Sequence, residues 1–202
     1  MSQNGGSGRD RDRMLLAQEA ARIMAQEGVR DFGLAKRKAA QRLNLPLNGR
    51  MPKNTEIDAA LREYQRLFMA EDQPRRLQQL RESALQAMEF FARFDPRLTG
   101  SVLRGTAGAH SGVTLHLFAD TPEDVVLFLM EQQIPFTDSE RRFRVNGTAH
   151  DSFPSYQFTA GDVDIELVVF PTNSSRQAPW SPLDGKPMQR ADLNTVRCLL
   201  LG

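Results

Sequence analysis

The chain has 202 residues, 40% of them hydrophobic and 25% charged, with a formal net charge of +1. That suits one globular domain, or a small helical domain followed by an α/β one, with enough apolar residues for a core. The lone cysteine, Cys198, excludes an internal disulfide, no apolar run approaches the about 20 residues that span a bilayer, and the net charge argues neither for nor against nucleic acid.

The charge is unevenly distributed. Residues 1–100 hold 18 Lys/Arg and 13 Asp/Glu, a net of +5, whereas residues 101–202 hold 8 and 12, a net of −4. The opening MSQNGGSGRDRDR has no apolar signal core, so residues 1–12 read as a disordered polar arm. With one cysteine and no membrane segment, the expected location is the cytoplasm.

Residues 13–96 read as a helical region. Leu16, Ala20, Ile23 and Met24 recur at helical spacing, and Gly28 stops that helix as a C-cap. Asp31 caps a second helix, Phe32–Leu43, which ends before Pro46. A Pro-, Gly- and Asn-rich loop, Leu45–Asn54, follows. Thr55 with Asp58 predicts a capping-box start for a third helix with an apolar stripe of Ile57, Leu61, Tyr64 and Phe68. After Gln73-Pro74, a fourth helix, Arg75–Phe94, carries Leu77, Leu80, Ala84, Met88 and Phe91 on one face.

From Arg97 the period changes to that of strands. Leu98–Leu103 and Val113–Ala119 are predicted strands. Thr121-Pro122-Glu123-Asp124 opens a helix to about Gln132, with Thr at the N-cap, Pro at the first helical position and acids in the first turn. A strand is expected around Arg141–Val145, with a turn at Asn146-Gly147. Tyr156–Thr159 and Val163–Phe170 form a predicted hairpin about Ala160-Gly161-Asp162. Trp180, between Pro179 and Pro182, is expected to staple the tail, and a short helix from Arg190 or Asp192 to Leu201 ends the chain. Cys198, in the apolar run Val196–Leu201, is expected to be a buried structural thiol.

The stretch Leu98–Asp120 carries the chemistry. It contains a Gly-Ser pair, Gly100-Ser101, then a loop with Gly105, Gly108 and Gly112, then a strand whose core face is Val113, Leu115 and Leu117 and whose opposite face is Gly112, Thr114, His116 and Phe118. Further on, Asp162, Asp164 and Glu166 alternate with Val163, Ile165 and Leu167. Three acids on one strand face attract a cation or a basic partner; a half-exposed hairpin produces the same pattern with no ligand. Arg104, beside Gly105, suits a phosphate contact or a plain surface position. No nucleophile elbow accompanies Ser101 or Ser111, and structural roles are the simpler reading of His110, His116 and His150.

The pair, the glycine loop and the acidic strand together resemble the DNA-polymerase-beta-like nucleotidyltransferase superfamily, over roughly residues 98–171. Arg30-Asp31-Phe32, Ala35-Lys36-Arg37-Lys38-Ala39-Ala40, Gly105-Thr106-Ala107, His110-Ser111 and Leu115-His116-Leu117-Phe118 are further similar to a proteobacterial group of nucleotidyltransferase-like proteins. The resemblance implies an α+β fold: an N-terminal helical part, then a nucleotidyltransferase-like mixed β-sheet with flanking helices over 97–202. It implies a nucleoside triphosphate held by Gly100, Ser101, Arg104 and Ser111, with Mg²⁺ as cofactor. Asp162, Asp164 and Glu166 would hold the metal, and Asp164 and Glu166 would act in catalysis. In that superfamily two further carboxylates stand at i and i+2 on the first strand, so that two ions clamp the attacking and leaving oxygens. Here Gly112 and Thr114 occupy those positions. The implied protein is therefore degenerate, binding a nucleotide or a partner, with at most weak metal-dependent nucleotidyl transfer. The competing reading is a regulatory or DNA-binding module that uses Lys36, Arg37, Lys38 and Arg42 on the second helix.

Overall fold

The computed structural model describes residues 5–46, 51–146 and 149–201. The chain is α+β and divides into two compact units, Met1–Pro74 with Gly108–His110, and Arg75–Ala107 with Ser111–Gly202. The division falls near residue 74 rather than at the expected 96, so most of the fourth helix belongs with the sheet.

The first unit is built on α1 (Gly5–Glu27), α2 (Phe32–Arg42) and α3 (Asn54–Phe68). α1 starts at Gly5, not after Asp12, which corrects the expected polar arm over residues 5–12; residues 1–4 lie outside the described ones. Extending a helix already anchored by packed turns costs far less than nucleating one, which lets it run back through poor helix formers. Gly28 ends α1 with φ +69°, and a Cβ there would stand 2.6 Å from the Cβ of His110. Asp31 caps α2 as its Oδ1 accepts from the Leu34 amide at 2.6 Å. α3 begins one residue before Thr55: Lys53 is the N-cap, and Glu56 Oε2 accepts from its amide at 2.6 Å. Leu16, Ala20 and Ile23 of α1, Phe32, Ala35 and Ala39 of α2, and Ile57 and Leu61 of α3 are buried, whereas Phe68, the last residue of the expected stripe, is 70% exposed. Of the expected 45–54 loop, residues 47–50 lie outside the described ones, and Asn54 already belongs to α3.

The second unit is a five-stranded mixed sheet with helices. α4 spans Asp72–Phe90 and is followed by a 3-10 turn, Ala92–Phe94. Pro74 lies within the first turn of α4, where its missing N–H removes no helical bond, so Gln73-Pro74 opens the helix instead of separating two. The predicted strand 98–103 is in fact β1 (Arg97–Thr99) followed by one helical turn, α5 (Gly100–Arg104). Gly100 makes the break at φ +78°. Then come β2 (Val113–Ala119), α6 (Pro122–Glu131), β3 (Thr137–Asn146), β4 (Ala149–Ala160), β5 (Val163–Pro171) and α7 (Leu193–Leu201). Thr121 and Asp124 cap α6 as their spacing predicts, with the Thr121 amide 3.1 Å from Asp124 Oδ2. β4 and β5 turn about Gly161, at φ +64°. Gly147, half of the expected Asn-Gly turn, lies outside the described residues.

The sheet order is β1-β2-β5-β4-β3, with β2 and β5 parallel and every other pair antiparallel. Val113, Leu115 and Leu117 of β2 and Ile165, Leu167 and Val169 of β5 bury one face with Leu80 and Met88 of α4, Leu129 of α6 and Val196 of α7. The opposite face is apolar at one end, where Phe118, Val168 and Phe170 pack with Phe143 and Phe153. The double burial of Val168-Val169-Phe170 explains why that run is continuously apolar rather than alternating. Trp180 does staple the tail: its amide donates to the Arg144 carbonyl at 2.8 Å, and the Arg144 guanidinium lies 4.7 Å from its ring. Cys198 is exposed, correcting the expected burial: α7 turns Val196 inward, and two residues on is nearly the opposite side of a helix.

Candidate functional site

The polar end of the second sheet face begins where β2 and β5 start. Their parallel register pairs Val113 with Ile165 and Thr114 with Glu166. The first-strand position highlighted by the sequence therefore lies beside the acidic strand. Glu166 is only 7% exposed. A carboxylate so placed needs partners for its charge and lone pairs, and it has them. Thr114 Oγ1 donates to Oε2 at 3.3 Å, Ser155 Oγ to Oε1 at 3.2 Å and Gln157 Nε2 to Oε1 at 3.5 Å. The Arg141 guanidinium pairs with the same carboxylate, Nε to Oε1 at 3.2 Å. Ser155 and Gln157 come from alternate positions on β4, as Thr114 does on β2, so period-two geometry delivers them to one face.

The Gly-Ser turn borders this group. A Cβ on Gly100 would lie 4.0 Å from Thr114 Oγ1. Ser101 is half-buried, and its carbonyl closes the α5 turn by accepting from the Thr106 amide at 2.9 Å. Thr99, just before the turn, donates its hydroxyl to the Gln189 carbonyl at 3.0 Å. Arg104 and Ser111 are half-buried at the two ends of the loop. Gly112 is held against β5: a Cβ there would come within 2.5 Å of the Asp164 carbonyl oxygen. No side chain fits position 112 without moving backbone.

The three acids expected to share a metal are taken by three different sets of partners. Asp162, in the β4–β5 turn, accepts from Arg76 Nη1 at 3.0 Å and from Gln79 Nε2 at 3.0 Å, and the Arg76 hydrogen bond holds its carboxyl below the usual range. Asp164 is exposed and accepts from Thr159 Oγ1 at 3.1 Å. Glu166 is enclosed as described. Among the described residues no group of three or more His, Cys, Asp or Glu side chains is placed to hold a metal ion. The donor set does not fit a two-metal centre: Glu166 is already engaged by Thr114, Ser155, Gln157 and Arg141, and position 112 has no room for another carboxylate. Asp162, Asp164 and Glu166 are thus each engaged separately in this arrangement.

His116, two residues beyond Thr114, is fully buried at the aromatic end. Its Nδ1 accepts from Arg190 Nε at 2.9 Å. Burial first, then the Arg190 and Arg141 charges, hold its pKa well below the ordinary histidine value, so it is neutral. Arg190 lies 4.8 Å from the Phe170 ring centroid and 5.1 Å from that of Phe118, and burial, then the Arg97 charge, lowers its pKa to about 10. This pair is locked by aromatic packing. His110 belongs to the first unit, where its carbonyl accepts from Arg30 Nη2 at 3.1 Å.

Sequence reading missed Arg141, Ser155 and Gln157. The alternation Ser155-Tyr156-Gln157-Phe158-Thr159 contains the signal for the β4 pair. Nothing local marks Arg141.

The basic cluster of α2 is partly consumed. Lys38 pairs with Glu27 at 2.7 Å, and Arg42 with Glu27 at 2.6 Å and Glu19 at 3.3 Å. Burial lowers the Lys36 pKa, and Arg37 is exposed. No helix among the described residues is long and apolar enough to cross a membrane. The chain matches no protein-family model and no curated protein.

Proposed function

We propose that the second unit is a degenerate nucleotidyltransferase-like module that binds a nucleotide through its phosphates and transfers a nucleotidyl group weakly or not at all. The observation that carries this reading is the convergence of the Gly100-Ser101 turn, Thr114 and Glu166 on one end of one sheet face, through the parallel pairing of β2 with β5. Phosphoryl and nucleotidyl transfer depend on positioning and on neutralising charge. The neutral residues at 112 and 114 remove the groups that would anchor two cations, and Gly112 cannot regain one without backbone movement.

The test is thermal unfolding of the full chain with ATP, GTP, CTP and UTP, alongside transfer of labelled NMP to the protein or to a lysate. At least one triphosphate should raise the melting temperature; a ligand at 100 times its Kd stabilises by about 2.7 kcal/mol. Ser101→Ala and Arg104→Ala should reduce that shift while leaving the ligand-free melting temperature nearly unchanged. If no triphosphate shifts the transition, with or without Mg²⁺ or Mn²⁺, the reading is overturned. Rapid transfer that requires Glu166 would overturn the degenerate part of it.

A further inference from the structure

The disagreement between the expected Mg²⁺ and the residues present has a direction. Two carboxylates at positions 112 and 114 would repel a triphosphate and would need cations to bridge them to it. Gly112 and Thr114 carry no charge, so a bridging cation has little to bridge. The carboxylate that remains enclosed, Glu166, already faces a cation. Arg141 Nε lies 3.2 Å from Glu166 Oε1, yet the Arg141 side chain is 53% exposed. Among the described residues, Glu166 is the one ion-pair partner of Arg141. A guanidinium is a planar fork of N–H donors that stays charged and matches phosphate geometry. Its Nε faces the carboxylate, while half of the side chain is exposed to solvent.

We propose that Arg141 supplies the positive charge that a divalent cation would otherwise bring, so that the polar end of the sheet binds the phosphates of a nucleotide without metal. The proposal rests on the nucleotide-binding reading above. Thr114, Ser155 and Gln157 hold Glu166 by hydrogen bonds from neutral groups, which fixes the carboxylate that in turn orients Arg141. The other acids at this end weaken the site little. Asp162 is matched by Arg76, and Asp164 is exposed, where water and salt screen it.

Glu166 separates the two chemistries by the sign of its effect. If it were a metal ligand, removing its charge would weaken binding. If it is the counter-charge of Arg141, removing its charge frees the guanidinium and strengthens binding. The experiment is equilibrium binding of ATP and of inorganic tripolyphosphate to the full chain, in EDTA and in excess MgCl₂. The wild type should bind both probes in EDTA at least as tightly as in Mg²⁺. Arg141→Gln should weaken binding about tenfold, the worth of a charge-assisted hydrogen bond. Glu166→Gln should tighten it about threefold through the lost Coulombic competition.

Arg141→Gln leaves Glu166 enclosed without its cation, so circular dichroism accompanies it. The double variant Arg141→Gln/Glu166→Gln removes both charges together and should bind more weakly than the wild type but no more weakly than the single Arg141 variant, in which the unpaired Glu166 also repels the phosphates. Binding that requires Mg²⁺ and is lost in Glu166→Gln overturns this proposal and leaves nucleotide binding standing. Metal-independent binding that ignores both Arg141 variants overturns the assignment to Arg141. Absence of binding under every condition overturns this proposal and the nucleotide reading together.

Discussion

Two arginine-centred groups lie on the same sheet face of the second unit, and they differ in what their charges reach. At the aromatic end, Arg190 is stacked on Phe118 and Phe170 and hydrogen-bonded to a fully buried, neutral His116. At the polar end, Arg141 pairs with an enclosed Glu166 but keeps half of its side chain in solvent. His116 and Thr114 are two residues apart on β2, so strand geometry treats them alike. The difference comes from what covers them. The first group has its cation spent on ring faces and an imidazole, which makes it a packing device. The second has an enclosed carboxylate paired with a cation that is half exposed, which is the arrangement the proposed anion site draws on. Burial of a titratable side chain therefore does not by itself mark a site here, since His116 is buried in aromatic packing.

The comparison can be broken most sharply at the aromatic end. Arg190→Ala removes the cation from two ring faces and strands the Nδ1 acceptor of His116, and should cost about 3 kcal/mol. Urea unfolding measures it, and a loss close to zero would mean that the stacked arginine contributes no packing.

Gly112→Ala comes next. The new methyl group meets the Asp164 carbonyl, and relieving the contact should cost about 2 kcal/mol. Gly112→Asp should be at least as destabilising and should gain no Mg²⁺ affinity, as read by calorimetric titration; gained affinity would reopen the metal reading.

A pH series sharpens the contrast further. The folded-state pKa of His116 lies well below its unfolded value of about 6.5, so the unfolded chain binds the additional proton as pH falls. Stability that is fully present above about pH 6.5 should then decline on acidification, by roughly 1 kcal/mol between pH 6.5 and 5.5. His116→Gln should flatten that slope, measured by denaturant unfolding at each pH. An unchanged slope would assign the acid sensitivity elsewhere.

The smallest effect belongs to the rim. Asp162→Asn loosens an exposed contact to Arg76 and should leave the melting temperature and ATP binding unchanged. A marked drop in ATP affinity would bring Asp162 into the site.

The chain's own order of residues determined its local geometry. β2 was legible from Val113–Ala119, and the start of α6 from Thr121-Pro122-Glu123-Asp124, because alternation and capping are settled within a few neighbouring residues. Asp31 and Gly28 marked the junction of α1 and α2 for the same reason. The α+β class followed from the change of period near Arg97. Where local rules competed, the reading failed: Leu98–Leu103 alternates well enough for a strand, but Gly100 turns the backbone into α5, and the polar N-terminus continues α1 once its later turns are packed.

Tertiary structure alone decided who partners whom. Arg141 reaches Glu166, 25 positions away in sequence, because β3 and β5 both flank β4, and Arg190 reaches His116 across 74 positions. Sequence placed Asp162, Asp164 and Glu166 on one strand face, but strand order, turn position and neighbouring hydrogen-bond donors sent each to a different partner. The same holds for Gly112, whose lack of a side chain reads as a lost ligand in sequence and as a close backbone approach in space. Local signals are governed by torsion angles and the spacing of a few residues. The charge state and reach of a site are governed by groups that the fold brings in from far along the chain.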